Sequence, residues 1–156
     1  MTVNVGDKAP EFSLYNTAKE SVSLKDFEGK NVVLLFFPMA FTSVCTEELC
    51  TMRDNMSMYN DLNAEVLGIS VDSIFTLDKF RSEQNLSFPL LSDFNKEVSR
   101  SYGALYETFV FDMKGVSKRS AFVIDKEGYV RFAEVLEKAS DLPDFESINK
   151  TLKEIA

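Results

Sequence analysis

The sequence predicts an α/β protein with a central mixed β-sheet flanked by helices, and three observations predict it. Residues 31–37, NVVLLFF, are a continuous apolar and partly β-branched run stopped by Pro38, which reads as a strand buried on both faces. A second run, AEVLGISVD (64–72), follows a stretch of helix formers, so strand, helix and strand alternate as parallel winding requires. Near the end, SAFVID (120–125) and YVRFAEV (129–135) flank KEG, which predicts an antiparallel hairpin with a glycine turn and makes the sheet mixed.

The elements between follow in order. Thr42 and Ser43 are helix-cap residues, and CTEELCTMRDNMSMYNDL (45–62) carries acids early and helix formers throughout, predicting one helix that begins near Ser43. Met52, Met56 and Tyr59 recur at helical spacing and are expected to pack that helix on the sheet. Ser73 caps a helix over IFTLDKFRSEQ, FPLLSD is a short strand, and NKEVSRSYG is a short helix closed by Gly103. A last helix follows Pro143. With no repeat, low-complexity segment or long linker, residues 1–156 are expected to form a single domain.

Composition narrows the function. Hydrophobic residues at 45% and charged residues at 27% are those of an ordinary globular chain. A formal charge of -8 repels phosphate backbones and anionic lipid, and Lys118-Arg119, the densest basic pair, is too short to track either, so neither nucleic acid nor membrane is expected as a partner. The opening MTVNVGDKAP lacks the basic and apolar regions of a secretory signal, and we expect a cytoplasmic protein. In that reducing compartment two cysteines point to reactive or buried thiols before a permanent disulfide. Asp72, Asp93 and Asp125 all follow apolar strands, yet with no histidine and no clustered cysteines we expect neither a metal nor a cofactor.

Both cysteines lie in FPMAFTSVCTEELC (37–50), and the chain has no histidine. Cys45 falls in the first turn of the predicted helix, where unpaired backbone N–H groups and the positive end of the helix dipole favour a thiolate without an imidazole base. A Cys-His protease or acyltransferase is excluded, since nothing returns a proton to a leaving amine. Attack on a peroxide remains open, because the departing oxyanion needs mainly hydrogen-bond donors and positive charge. The plainer alternative is a small buried apolar side chain.

PMAFTSVCTEE resembles the peroxiredoxin signature Pro-x-x-x-Thr-x-x-Cys, and VGDKAPEFSL, FPLLSDFNKEVSRSYG and RSAFVIDKEGYVRFAE resemble further peroxiredoxin segments in the same order. The resemblance implies a thioredoxin-like fold and a thiol-dependent peroxidase acting on hydrogen peroxide or organic hydroperoxides. It implies Cys45 as the peroxidatic nucleophile, Pro38 as its shield, Thr42 as a hydrogen-bond partner of peroxide, Arg119 as the group holding thiolate and peroxide, and Glu48 as the acid that orients an arginine. Against these stand a strand-ending Pro38, a helix-starting Thr42, a first-turn Glu48 favoured by the dipole, and a solvated Arg119.

FFPMAFTSVC and RFAEV are similar to the alkyl hydroperoxide reductase E branch, whereas the second cysteine, Cys50, resembles the bacterioferritin-comigratory or Q-type branch. The first branch implies a homodimer joined near Phe41. The second implies that Cys50 resolves the Cys45 sulfenic acid, the alternative being a packed Cys50 and an external thiol. Thioredoxin, glutaredoxin or a low-molecular-weight thiol would be the reductant. A different class, a thioredoxin-like dithiol oxidoreductase or redox-regulated binding protein, is disfavoured because such exchange uses Cys-x-x-Cys. On one continuous helix, five residues place Cys45 and Cys50 about 140° apart, with Cα atoms ~8 to 9 Å apart. A disulfide spans no more than roughly 7 Å, so resolution by Cys50 requires the helix to unwind.

Overall fold

The computed structural model describes residues 3–156, so Met1 and Thr2 of the opening stretch lie outside the described residues. A hairpin that the sequence pattern did not reveal comes first, β1 (Ser13–Asn16) with β2 (Ser21–Ser23). Its turn is built by the Asn16 side chain, whose Oδ1 accepts from Ala18 N–H at 2.9 Å and Glu20 N–H at 3.0 Å. Then come β3 (Asn31–Phe36), β4 (Ala64–Ser70) and β5 (Leu90–Ser92), mutually parallel. A separate short pair, β6 (Leu105–Tyr106) and β7 (Val116–Ser117), precedes the expected hairpin of β8 (Ser120–Ile124) and β9 (Val130–Val135). Gly128 turns that hairpin at φ 90°, a region that L side chains rarely adopt.

The seven-stranded sheet runs β2-β1-β5-β4-β3-β8-β9, mixed as expected and centred on the apolar runs. Helices α1 (Ser43–Asp54), α2 (Met56–Asp61), α3 (Ile74–Glu83), α4 (Glu97–Ser101) and α5 (Phe145–Ile155) flank it. All six residues of β3 are buried because both faces of the sheet are covered. Val33 and Leu35 meet Leu49 and Met52 of α1, Leu77 and Phe80 of α3 and Ile148 and Leu152 of α5, while Val32, Leu34 and Phe36 meet Phe12, Leu24 and Tyr102 on the other side. Each large apolar side chain so buried contributes about 1.5–3 kcal/mol, which is why an uninterrupted apolar run occupies the centre.

The single helix expected over residues 45–62 is two. It breaks at Asn55, which takes φ -114° and ψ 13° and donates from Nδ2 to the Thr51 carbonyl at 2.7 Å. An asparagine side chain that bonds nearby backbone competes with the helical ladder, which accounts for the interruption. Met52 and Tyr59 are still buried and Met56 still packs on the core. Gly103, at φ 67°, follows the end of α4 as expected.

The chain leaves β3 at its carboxyl end and crosses to α1 through residues 37–42, the edge at which parallel sheets present ligand sites. The crossing is pinned by Asp72, whose Oδ2 accepts from Ala40 N–H at 2.8 Å and Ser70 Oγ at 2.7 Å. Asp93 accepts from the N–H groups of Val98 and Ser99, and Asp125 from those of Glu127 and Tyr129, so these two strand-end aspartates serve local backbone.

Candidate active site

Cys45 is the third residue of α1, in the turn whose N–H groups have no carbonyl four residues back. Its thiol is fully buried. Arg119, immediately before β8, reaches across to it, and Nη2 lies 3.2 Å from Cys45 Sγ. The same guanidinium gives Nη1 to Glu48 Oε1 at 2.6 Å and Nε to the Ala139 carbonyl at 2.9 Å. Three partners from two segments, α1 and the stretch after β9, therefore fix one planar fork, a task that the single ammonium of lysine does not match.

At 2% exposure Arg119 is not a solvated edge charge. Lys118 takes that role instead, at the surface with its Nζ 3.1 Å from Glu137 Oε1. Burial opposes the Arg119 charge, but the negative charges and hydrogen bonds of Glu48 and Cys45 outweigh it and hold the guanidinium above its ordinary value.

Glu48 is not the first-turn acid of the plainer reading, because a helix starting at Ser43 puts it in the second turn, turned inward and fully buried. Burial pushes its carboxyl up to about 7, against the opposing attraction of Arg119. Oε1 is bonded and Oε2 is buried with no partner among the described residues. One cation thus faces two groups that can each be anionic. Neutral Glu48 leaves the Arg119 charge to the sulfur, which is the arrangement a thiolate requires.

Thr42 stands at the N-cap of α1, yet its hydroxyl does not cap. It donates to the Met39 carbonyl at 2.8 Å, and its oxygen remains able to accept a hydrogen bond from a bound group. Pro38 is buried between the end of β3 and this turn. A cavity of about 250 Å³ opens over the site, with Thr42, Ser43, Arg119 and Ser140 at its polar end. The remaining wall is Pro38, Met39, Val44, Phe109, Val110 and Ala139.

Cys50 lies apart, half-buried, with its Sγ donating to Gln84 Oε1 at 3.4 Å, and both cysteines are free. The backbone carbonyl of Gln84 accepts from Arg53 Nη1 at 2.6 Å, which ties α1 to the end of α3. Phe41 holds φ 69° and is 48% exposed, with its ring 5.1 Å edge-on from Phe80. Sequence reasoning missed Ala139, Met39, Gln84 and the Phe109-Val110 wall. Only the last had a visible signal, an apolar cluster in the otherwise polar stretch ETFVFDMKG.

The AhpC/TSA family model matches residues 5–133. Alkyl hydroperoxide reductase E of Mycobacterium bovis is 38% identical over 136 residues, covering 85% of this chain and 86% of that protein. Peroxiredoxin-2 of Bos taurus is 38% identical over 160 residues, covering 96% of this chain and 76% of the bovine one. Among solved structures, the peroxidoxin BcpB of Mycobacterium tuberculosis superimposes with a TM-score of 0.87 at 28% identity, over 99% of each chain.

Proposed function

The chain belongs to the AhpC/TSA family and is a thiol-dependent peroxidase of thioredoxin-like fold, and on that premise we propose that Cys45 is its peroxidatic nucleophile. The observation that carries the assignment is the buried contact of 3.2 Å between Cys45 Sγ and Arg119 Nη2. In the proposed step the Cys45 thiolate attacks one oxygen of a hydroperoxide. The S–O bond forms as the O–O bond breaks, Cys45 becomes a sulfenic acid, and the alkoxide or hydroxide takes a proton and leaves as alcohol or water. Arg119 stabilises the charge that grows on the peroxide, Glu48 and the Ala139 carbonyl hold Arg119 in plane, and Pro38 keeps bulk water from the sulfur.

Thr42 accepts from the peroxide O–H, since its own proton is committed to Met39. Thr42→Val keeps the shape and removes that acceptor, and we expect oxidation of Cys45 to slow by about 10-fold, the worth of one hydrogen bond near 1.5 kcal/mol. Stopped-flow oxidation read beside a urea melt separates this from a helix-starting role, in which stability falls and the rate does not.

Intact mass after one equivalent of peroxide, with and without a thiol trap, tests the nucleophile and the resolving thiol together. We propose that Cys50 resolves: its sulfur attacks Cys45 Sγ, the S–S bond replaces S–O, and water departs. Because both cysteines sit on α1, that step is limited by unwinding of the helix. Wild type then loses two hydrogens, and Cys50→Ser accumulates trappable sulfenic acid at an unchanged first-step rate. Equal accumulation in both proteins assigns Cys50 to packing and resolution to an external thiol.

The dithiol-exchange alternative gains nothing from the geometry, in which Cys50 faces Gln84 and Cys45 faces Arg119. As further proposals, residues 1–156 act as one domain, exposed Phe41 joins two copies in a homodimer, and thioredoxin, glutaredoxin or a small thiol regenerates the enzyme. No described helix is long and apolar enough to cross a membrane. We further propose a cytoplasmic setting, where a reducing thiol pool keeps a reactive cysteine available.

A further inference from the structure

Resolution by Cys50 needs α1 to unwind, and the burial along the helix says which half does. Before Leu49 the buried side chains are Cys45 and Glu48, so opening that first stretch exposes no fully buried large apolar group. Freeing Cys50 instead would pull out Leu49 and Met52, both fully buried in the core beside the sheet. Cys50 therefore stays with the core, and the turn that carries Cys45 is the part that moves.

Two contacts hold Cys50 where it is, and both end on Gln84. Cys50 Sγ donates to Gln84 Oε1 at 3.4 Å, and Arg53, one turn further along α1, donates from Nη1 to the Gln84 carbonyl at 2.6 Å. Gln84 is itself a fixed point: it closes α3, its N–H donates to the Phe80 carbonyl at 3.1 Å, and Leu77 and Phe80 bury that helix in the core. Arg53 Nε donates to Asp54 Oδ1 at 2.9 Å. That hydrogen bond, and then negative charge on Cys50, hold the Arg53 guanidinium above its ordinary value against partial desolvation. The other charges flanking Cys50 on these two helices are Glu47, exposed one turn earlier on α1, and Glu83, beside Gln84 and paired with Lys79 at 3.6 Å.

We infer that Arg53 and Gln84 are positioning residues of the resolving step, keeping Cys50 stationary with a positive charge one turn away while the turn bearing the oxidised Cys45 opens toward it. The inference rests on Cys50 being the resolving thiol and adds what prepares it. Cys50 attacks as the anion: its sulfur bonds Cys45 Sγ, the S–O bond breaks, and the departing hydroxide takes up the proton that Cys50 released and leaves as water. The Gln84 carboxamide serves both states of the sulfur, since Oε1 accepts from the thiol and, once the amide turns over, Nε2–H donates to the anion. Unwinding limits the step through the small fraction of chains open at any moment. The observed rate is that fraction multiplied by the rate of attack in the open chain, so the readiness of Cys50 enters directly.

The test follows the full chain after one equivalent of hydrogen peroxide, across the pH range in which cysteine ionises, by rapid quench, thiol trapping and intact mass. It reads disulfide formation against sulfenic acid formation in the same sample. Arg53→Met is expected to slow disulfide formation at pH 7 by about 3- to 10-fold and to raise its half-maximal pH by about half a unit to one unit, the scale of one nearby charge. Arg53→Lys keeps the charge and restores the profile. Gln84→Glu keeps the shape and the acceptor but gives no N–H to the anion, so it shifts the profile the same way and stays readable should Arg53→Met unfold. A rate and profile unchanged in both Arg53→Met and Gln84→Glu, or a faster step in either, overturns the inference while leaving Cys50 as the resolving thiol. Slowing by Arg53→Met and Arg53→Lys alike, with the profile in place, makes Arg53 a prop of the helix and overturns it too. A wild type that traps as sulfenic acid and forms no disulfide overturns the reading of Cys50 itself, and this inference with it.

Discussion

Cys45→Ser is expected to lower peroxide consumption, supported by dithiothreitol, to the uncatalysed background, while the protein stays folded. The hydroxyl is nearly the size of the thiol and can accept from Arg119 Nη2 as the sulfur does, so the buried contact survives. Nucleophilicity does not. A serine needs a neighbouring base, the chain contains no histidine, and the nearest carboxyl, Glu48, spends its bonded oxygen on Arg119. Cys50 does not substitute, because its sulfur is turned to Gln84 and no cation is bonded to it there. Turnover retained in a folded Cys45→Ser would sink the mechanism and move attention to Cys50.

How much of this was legible beforehand depended on what each residue does. The buried strands were readable because β3 and β4 are covered on both faces and so must be apolar without alternation. β1 and β2 were not, being three or four residues long and partly exposed, with their turn made by an asparagine side chain. Cys45, Thr42, Glu48 and Arg119 are brought to one end of the sheet, where a signature motif and the RSAFVID segment had pointed. Their linkage was invisible. The Ala139 carbonyl that fixes Arg119 is backbone and carries no residue signal, and the direction of the Thr42 hydroxyl depends on where Met39 lies. Asn55 illustrates the opposite limit, in which a strong helical pattern concealed a break set by one side chain.

Arg119→Met is expected to slow Cys45 oxidation at least ~10-fold, since a charge-assisted bond to developing negative charge is worth roughly 1.5–3 kcal/mol. It also orphans Glu48. Stranding a buried charge costs about 3–5 kcal/mol, but only while the partner stays ionised. Glu48 is already pushed up to about 7 by burial with Arg119 opposing; without Arg119 it rises further and is neutral at pH 7. The stability loss at neutral pH is therefore expected to be smaller than that range and to grow as the pH is raised. The wild type has its own dependence of the same sign. Folding raises the Glu48 carboxyl from 4.5 to about 7, so the folded chain binds more protons between those values than the unfolded one, and stability from this group is full below about 4.5 and lost as pH rises through about 7. The whole interval is worth on the order of 3 kcal/mol. Glu48→Gln removes it, and urea melts from pH 5 to 8 should show a flatter profile for that variant than for wild type. Combining Glu48→Gln with Arg119→Met separates the two roles of the arginine: the extra loss of stability at raised pH disappears because no carboxyl is left to ionise, and the oxidation rate stays low because no cation faces Cys45. Recovery of the rate along with the stability would mean that Arg119 only props the fold.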